Sequence, residues 1–216
     1  MLTFGFSAFL KMLSLSVRRQ RSEMRARLSP SEGGYDFHRA FRRLAHRYLG
    51  EGEDLEQLLR EAAAFTNPAE ARSGVAALEY LQDWRAENPG ELLSFQPRIY
   101  ESPSRRFKVR YTPDFGVDIG GERVAVHIWN TKRPDLDARM TYAALTLFSD
   151  LYEDEADGAP DLAVLSVPDG RLYRLSDVPD QTVLAGRVVA AIDVLVEEIG
   201  DEIRPPLPPG SDQPRR

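Results

Sequence analysis

Residues 106–134, reading RFKVRYTPDFGVDIGGERVAVHIWNTKRP, constrain the fold more than any other part of the chain. Two β-rich runs flank a tight turn at Gly120-Gly121. The first run, 107–119, opens with Phe107, Val109 and Tyr111 on one face and Lys108, Arg110 and Thr112 on the other, the period-two alternation of a strand. The second, 123–131, places Val124, Val126 and Ile128 on one face, continued by Asn130 and Lys132, with His127 and Trp129 on the opposite face. The turn makes the two runs an antiparallel hairpin. His127 reads as a buried ring with satisfied nitrogens. Trp129 reads as core or interface, base stacking being the other use of such a ring.

The late part of each run is polar where a plain hairpin could stay apolar. Asp114 and Asp118 sit near the end of the first run, and Asn130 and Lys132 end the second on one face. An acid on one strand facing polar-x-Lys on its neighbour could hold a divalent cation and a phosphate together. Oxygen ligands suit Mg²⁺, and a lysine can steady a scissile phosphate or orient water.

This arrangement resembles the PD-(D/E)XK nuclease-like superfamily. Pro113-Asp114 matches its Pro-Asp, and Asn130-Thr131-Lys132 falls where the family has acid-x-Lys. The resemblance implies an α/β fold with a mixed central sheet flanked by helices, a restriction-endonuclease-like core. It implies Asp114 as a metal ligand, Lys132 as the catalytic lysine, and Mg²⁺ or Mn²⁺ as cofactor. The chain departs from the pattern at Asn130, whose neutral amide oxygen is a poorer Mg²⁺ ligand than a carboxylate. Asp118 and Glu122 are the acids that could substitute. A helix before the hairpin often supplies one more acid in this superfamily. Glu79 is the candidate here, a solvent-facing Glu being the alternative. The plain alternative to the whole motif is a surface hairpin with turn acids and a terminal Lys.

Absent residue types exclude several chemistries. The chain has no cysteine, which rules out disulfides, thiolate catalysis, Cys-based zinc sites and iron–sulfur clusters; a reducing, cytoplasmic setting fits that. The three histidines, His38, His46 and His127, form no His-x-x-x-His or His-Glu-x-x-His pair, so a zinc hydrolase is not expected. No Ser nucleophile elbow, Gly-rich phosphate loop or internal repeat stands out. Residues 1–50 carry ten Lys or Arg against three Asp or Glu, net +7. The rest of the chain is net −13, together the −6 of the whole. A basic head on an acidic body could bind nucleic acid, bind an acidic partner, or fold back on its own body.

The 216 residues suffice for one large domain or two small ones, and four segments are expected. Residues 1–34 are an apolar and basic N-terminal arm. Phe6, Phe9, Leu10, Leu13 and Val17 recur at helical spacing in a run too short to span a membrane. That helix would dock on the body or on a protein partner, a membrane-surface anchor being the lesser alternative. The cluster Arg18, Arg19, Arg21, Arg25 and Arg27 is a solvated helix face or a phosphate-contacting arm. Residues 29–34 (SPSEGG) read as a loop.

Residues 35–90 are a helical region with stripes at Phe37, Phe41, Leu44, Ala45 and Tyr48, then at Leu55, Leu58, Leu59, Ala62 and Phe65. A third helix starts at Asn67-Pro68-Ala69-Glu70, with Asn as N-cap and Pro at N1, and stops at Asn88-Pro89-Gly90. Residues 91–203 are the α/β core. They comprise a strand over 92–100 with Pro97 marking an edge or bend, the hairpin, a helix opened by Pro134-Asp135, a buried strand at 162–167, a short strand at 171–175 and a last amphipathic helix over 182–203. Strand, helix, strand over 123–167 reads as a parallel, right-handed βαβ unit. Residues 204–216 (RPPLPPGSDQPRR) form a Pro-rich, disordered tail.

Two functions fit these expectations. One is a metal-dependent nuclease, with Asp114 and Asp118 as ligands, Asn130 helping through its amide oxygen or a water, Lys132 on the phosphate, and Arg39, Arg42, Arg43 and Arg47 on the DNA or RNA backbone. The other is the same fold without catalysis, holding nucleic acid or serving as a structural or protein–protein interaction subunit.

Overall fold

The structure, a computed structural model, describes residues 1–29 and 37–203. The loop expected over 29–34, apart from Ser29, and the Pro-rich 204–216 lie outside the described residues. In chain order the elements are β1 (Leu2–Gly5), α1 (Phe6–Leu13), α2 (Val17–Leu28), α3 (Arg39–Gly50), α4 (Leu55–Ala63), α5 (Pro68–Glu87), β2 (Leu92–Leu93), β3 (Arg98–Glu101), β4 (Phe107–Tyr111), β5 (Phe115–Ile119), β6 (Glu122–Trp129), α6 (Ala138–Thr146), β7 (Asp161–Ser166), β8 (Arg171–Arg174) and α7 (Thr182–Ile203). The fold is α/β with two mixed sheets. One is five-stranded, in the order β2-β5-β6-β7-β8, and the other is three-stranded, in the order β1-β4-β3.

The hairpin forms as the glycine pair requires. Gly120 and Gly121 take φ of +66° and +87°, the left-handed pair of a two-residue turn whose twist matches the strands. Ile119 then sits opposite Glu122. Asp118 closes the turn by accepting the Gly121 N–H at 2.9 Å. β6 and β7 run parallel with α6 between them, as expected. β7 is buried on both faces: Leu162 and Val164 face one core cluster, Ala163 and Leu165 the other.

Helices cover both faces of the large sheet. Phe41, Leu44, Leu58, Leu78 and Trp84 from α3, α4 and α5 pack on Val124, Val126 and Ile128. Ala125 and Trp129 on the other face meet α1, α6 and α7, together with the small sheet. Asn67 caps α5 by accepting from Ala69 and Glu70, as the Asn-Pro start implies. Asp54 caps α4 in the same way.

Four expectations change. The run 107–119 is not one strand. It breaks at Thr112-Pro113-Asp114, where the proline cannot donate to a ladder, and β4 goes to the small sheet while β5 goes to the large one. The run 92–100 breaks the same way around Pro97, so β2 and β3 are edge strands of different sheets. The helix after the hairpin starts at Ala138 rather than at Pro134, because the Asp137 side chain takes the Met140 N–H and caps it there.

The N-terminal segment docks its helix on the body, one of the two alternatives expected, but adds a strand before it that was not expected. Residues 2–5 form a strand, pairing parallel with β4 from Leu2 opposite Phe107 to Gly5 opposite Arg110. α1 then buries Phe6, Phe9, Leu10, Met12 and Leu13 in the same core as the sheet. Its apolar face is covered by this chain, which leaves none for a partner.

Tyr111 joins the two sheets. Its hydroxyl donates to the carbonyl oxygen of Ala125 at 2.7 Å and lies 3.3 Å from that of Ala163. Complete burial holds its phenol well above the ordinary tyrosine pKa.

Candidate functional site

The parallel strands β6 and β7 end side by side, and sheets of this kind bind ligands at the carboxyl ends of such strands. Asn130 to Arg133 leave β6 there, and Val167 and Pro168 leave β7. With one face of α5 they line a cleft of about 760 Å³. Ala76, Ala77 and Tyr80 face it from α5, and Phe37 closes it from the segment before α3. Arg72, Lys132 and Arg133 border it, all exposed. Among the described residues none of the three makes an ion pair, and no Asp or Glu lines this cleft. Asn130 is 7% exposed and its Nδ2 has no hydrogen-bond partner. A buried donor left unmet costs about 1–3 kcal/mol, so such groups mark places where a ligand completes the bonding. A second cleft, about 580 Å³, shares Asn130 and Arg133 with the first and reaches Ser7 and Arg42.

Asp114 stands at this end of the sheet but is committed to the fold. Its Oδ2 accepts the Ile128 N–H at 2.7 Å and lies 3.1 Å from Nδ1 of His127. Phe115 pairs with Val126, so Asp114 lies opposite His127 in the ladder. In that register the polar-x-Lys positions facing the acid are His127 and Trp129. Asn130 and Lys132 lie three and five residues past the facing position. Trp129 is 1% exposed and belongs to the core, so it offers no ring to a base.

The structure does not bring the other acids to Asn130. Asp118 is spent on the turn at the far end of β5, four residues or ~13 Å of strand from Asp114. Glu122 is ion-paired with Arg174 at the same far end. Glu79 is exposed and lies outside the cleft. The residues around Asn130 and Lys132 therefore do not fit Mg²⁺ or Mn²⁺, which want several anionic oxygens. Asp114 already holds a backbone N–H, Asp169 accepts from the Arg171 N–H and the Tyr173 hydroxyl, and the rim of the main cleft is cationic. Among the described residues no three His, Asp or Glu side chains come together as a metal site.

The expected backbone-contacting arginines of α3 separate. Arg39 and Arg43 are exposed. Arg42 borders the second cleft, its Nη1 lying 3.5 Å from Ser7 Oγ. Arg47 is held between Glu53 and Glu61. These bonds push the Glu61 carboxyl down to about 2 and raise the guanidinium further. In the arginine cluster of α2, Arg21 reaches Glu198 and Glu202 of α7 and Arg25 reaches Glu202, Arg27 pairs with Glu23, and Arg18 and Arg19 are exposed.

Sequence reasoning missed Arg72, Arg133, Tyr80 and Ser7. Arg72, Ala76 and Tyr80 recur four apart on one face of α5, a legible spacing. That this face meets the β6 exit depends on the chain path. No protein-family model matches the chain, and no curated protein matches it in sequence.

Proposed function

We propose that this chain is a nucleic-acid-binding module with a PD-(D/E)XK-like arrangement of elements that does not cleave through a metal ion. One observation carries the reading: Arg72, Lys132 and Arg133, which make no ion pair among the described residues, border a cleft lined also by Asn130, whose Nδ2 has no partner. Lys132 and Arg133 leave β6 on consecutive residues and Arg72 borders the cleft from α5. Phosphate oxygens there would accept from all three and from Asn130 Nδ2. Tyr80 and Phe37 on the same walls give bases of a single strand rings to lie on. The order helix, strand, hairpin, helix, strand over 68–175 favours the restriction-endonuclease-like core. The commitment of Asp114 and the lack of a lysine opposite it favour binding over metal-assisted hydrolysis.

The test uses labelled single- and double-stranded DNA and RNA, with binding followed by anisotropy against salt and integrity checked with Mg²⁺ and Mn²⁺. Salt-sensitive binding without cleavage is expected, with single strands preferred. Metal-dependent cleavage lost in Lys132→Ala would restore the nuclease reading. Absence of binding at low salt would remove the nucleic-acid reading altogether.

A further inference from the structure

Outside the cation-rimmed cleft, three side chains from distant parts of the chain form a connected chain of bonds. Ser7 Oγ lies 2.7 Å from Nε2 of His127, and Nδ1 of His127 lies 3.1 Å from Asp114 Oδ2. The protons on this chain follow from its neighbours. Nδ1 faces two acceptors, the Asp114 carboxylate and the Thr112 carbonyl oxygen at 3.2 Å. A nitrogen between two acceptors carries the hydrogen. Nε2 is then the bare nitrogen, and the Ser7 hydroxyl donates to it. Arg42 approaches the same oxygen as a donor, at 3.5 Å. The imidazole is 4% exposed and fixed edge-on against Phe6 at 5.2 Å between ring centroids.

We propose that Ser7, His127 and Asp114 form a nucleophilic relay that cleaves carboxylic esters carrying an anionic group. The serine is half-buried and lines the second cleft together with Asn130, Arg42 and Arg133. It occupies the second position of α1, directly after β1, in the first turn, whose backbone N–H groups have no intrahelical partner. No side chain caps α1. Asn130 Nδ2 in the same cleft is a buried donor with nothing to bond, which suits an oxygen that gains negative charge. Arg133 at the rim of the same cleft selects the anionic substituent.

In the acylation step Ser7 Oγ bonds to the ester carbon as its proton passes to His127 Nε2. The C–O bond to the alcohol then breaks, and the alcohol leaves with that proton. Water repeats the sequence on the acyl-serine, losing a proton to Nε2, and releases the acid with Ser7 restored. No oxidant, reductant or metal is needed for the balance. Asp114 is a positioning residue here, holding the ring tautomer and the imidazolium that forms. Among the described residues the titratable or charged groups facing the ring are Asp114, Tyr111 and, across Ser7, Arg42.

The experiment is reaction of the full chain with a fluorophosphonate, which is uncharged at the reacting group and reports serine nucleophilicity independently of nucleic-acid binding. Mass mapping is expected to place one adduct on Ser7. Ser7→Ala should abolish it, and His127→Gln should slow it at least ~100-fold. In Asp114→Asn the rate should climb with hydroxide where the native rate levels off, which a merely structural aspartate would not cause. Circular dichroism confirms that each variant is folded. Among esters, mono-p-nitrophenyl succinate should exceed p-nitrophenyl butyrate about tenfold in kcat/KM, a preference of ~1.4 kcal/mol. Asn130→Ala should lower kcat far more than it raises KM. No adduct on the folded native chain, or equal labelling of Ser7→Ala, would overturn the proposal and leave Ser7 as the partner that satisfies a buried imidazole. Equal turnover of the two esters would overturn the anionic substrate class.

Discussion

The chain holds two sets of cations with opposite fates. Within the basic first fifty residues, Arg21 and Arg25 are neutralised by Glu198 and Glu202 and Arg47 by Glu53 and Glu61, while Arg18, Arg19, Arg39 and Arg43 stay exposed. Around the β6 exit, in a part of the chain that is acidic on balance, Arg72, Lys132 and Arg133 make no ion pair among the described residues and border a cleft. Local pairing, rather than charge summed over a segment, decides which cations are available to a ligand. An exposed ion pair contributes little to stability, but it removes both partners from the set that a phosphate can reach.

The N-terminal segment gives the largest test of this contrast. If it were an arm, trimming it would leave the fold intact. Phe6 packs edge-on against Tyr111, His127 and Phe148, so Phe6→Ala is expected to cost about 3–5 kcal/mol in denaturant unfolding. A loss well under 1 kcal/mol would return residues 1–13 to the status of an appendage.

Next in size is the cleft itself. The double variant Arg72→Ala, Lys132→Ala should weaken single-strand binding on the order of tenfold, and lower the salt slope by about 1.4, at about 0.7 per lost phosphate contact. The pair Arg21→Ala, Arg25→Ala should leave affinity and slope unchanged. Equal losses in the two double variants would erase the distinction between paired and free cations.

Tyr111→Phe should destabilise by about 1 kcal/mol, the net worth of a buried hydrogen bond, with the ring packing kept. Thermal or urea unfolding reads it directly, and a negligible change would mean that the hydroxyl does not couple the sheets.

The smallest effect is the acid response of the Arg47 network. The Glu61 pKa falls from 4.5 in its ordinary state to about 2 in the fold. A depressed carboxyl contributes stability that is fully present above about pH 4.5 and lost as the pH falls towards 2. Arg47→Ala should remove that contribution at neutral pH and converge with the native chain towards pH 2, which flattens that part of the stability profile. An unchanged acid limb would show that the pairing is not kept in solution.

Much of the architecture is legible in the sequence because it rests on neighbours in the chain. Gly120-Gly121 dictates a two-residue turn wherever it lies between strands. Asn67-Pro68 starts a helix by its own capping bonds, and the unbroken apolar run after Asp161 permits only a strand covered on both faces. What could not be read is contact between distant segments. Pro113 splits the first run, but only the assembled sheets show that its halves go to different sheets. Asp114 was recognisable as an unusual acid, yet the ladder register placed His127 opposite it, three residues short of Asn130. Ser7 stands 120 residues from His127, a distance at which no spacing rule operates. Local backbone chemistry is thus written in the sequence, whereas register, pairing of charges and the meeting of Ser7, His127 and Asp114 were decided by how the sheets and helices pack.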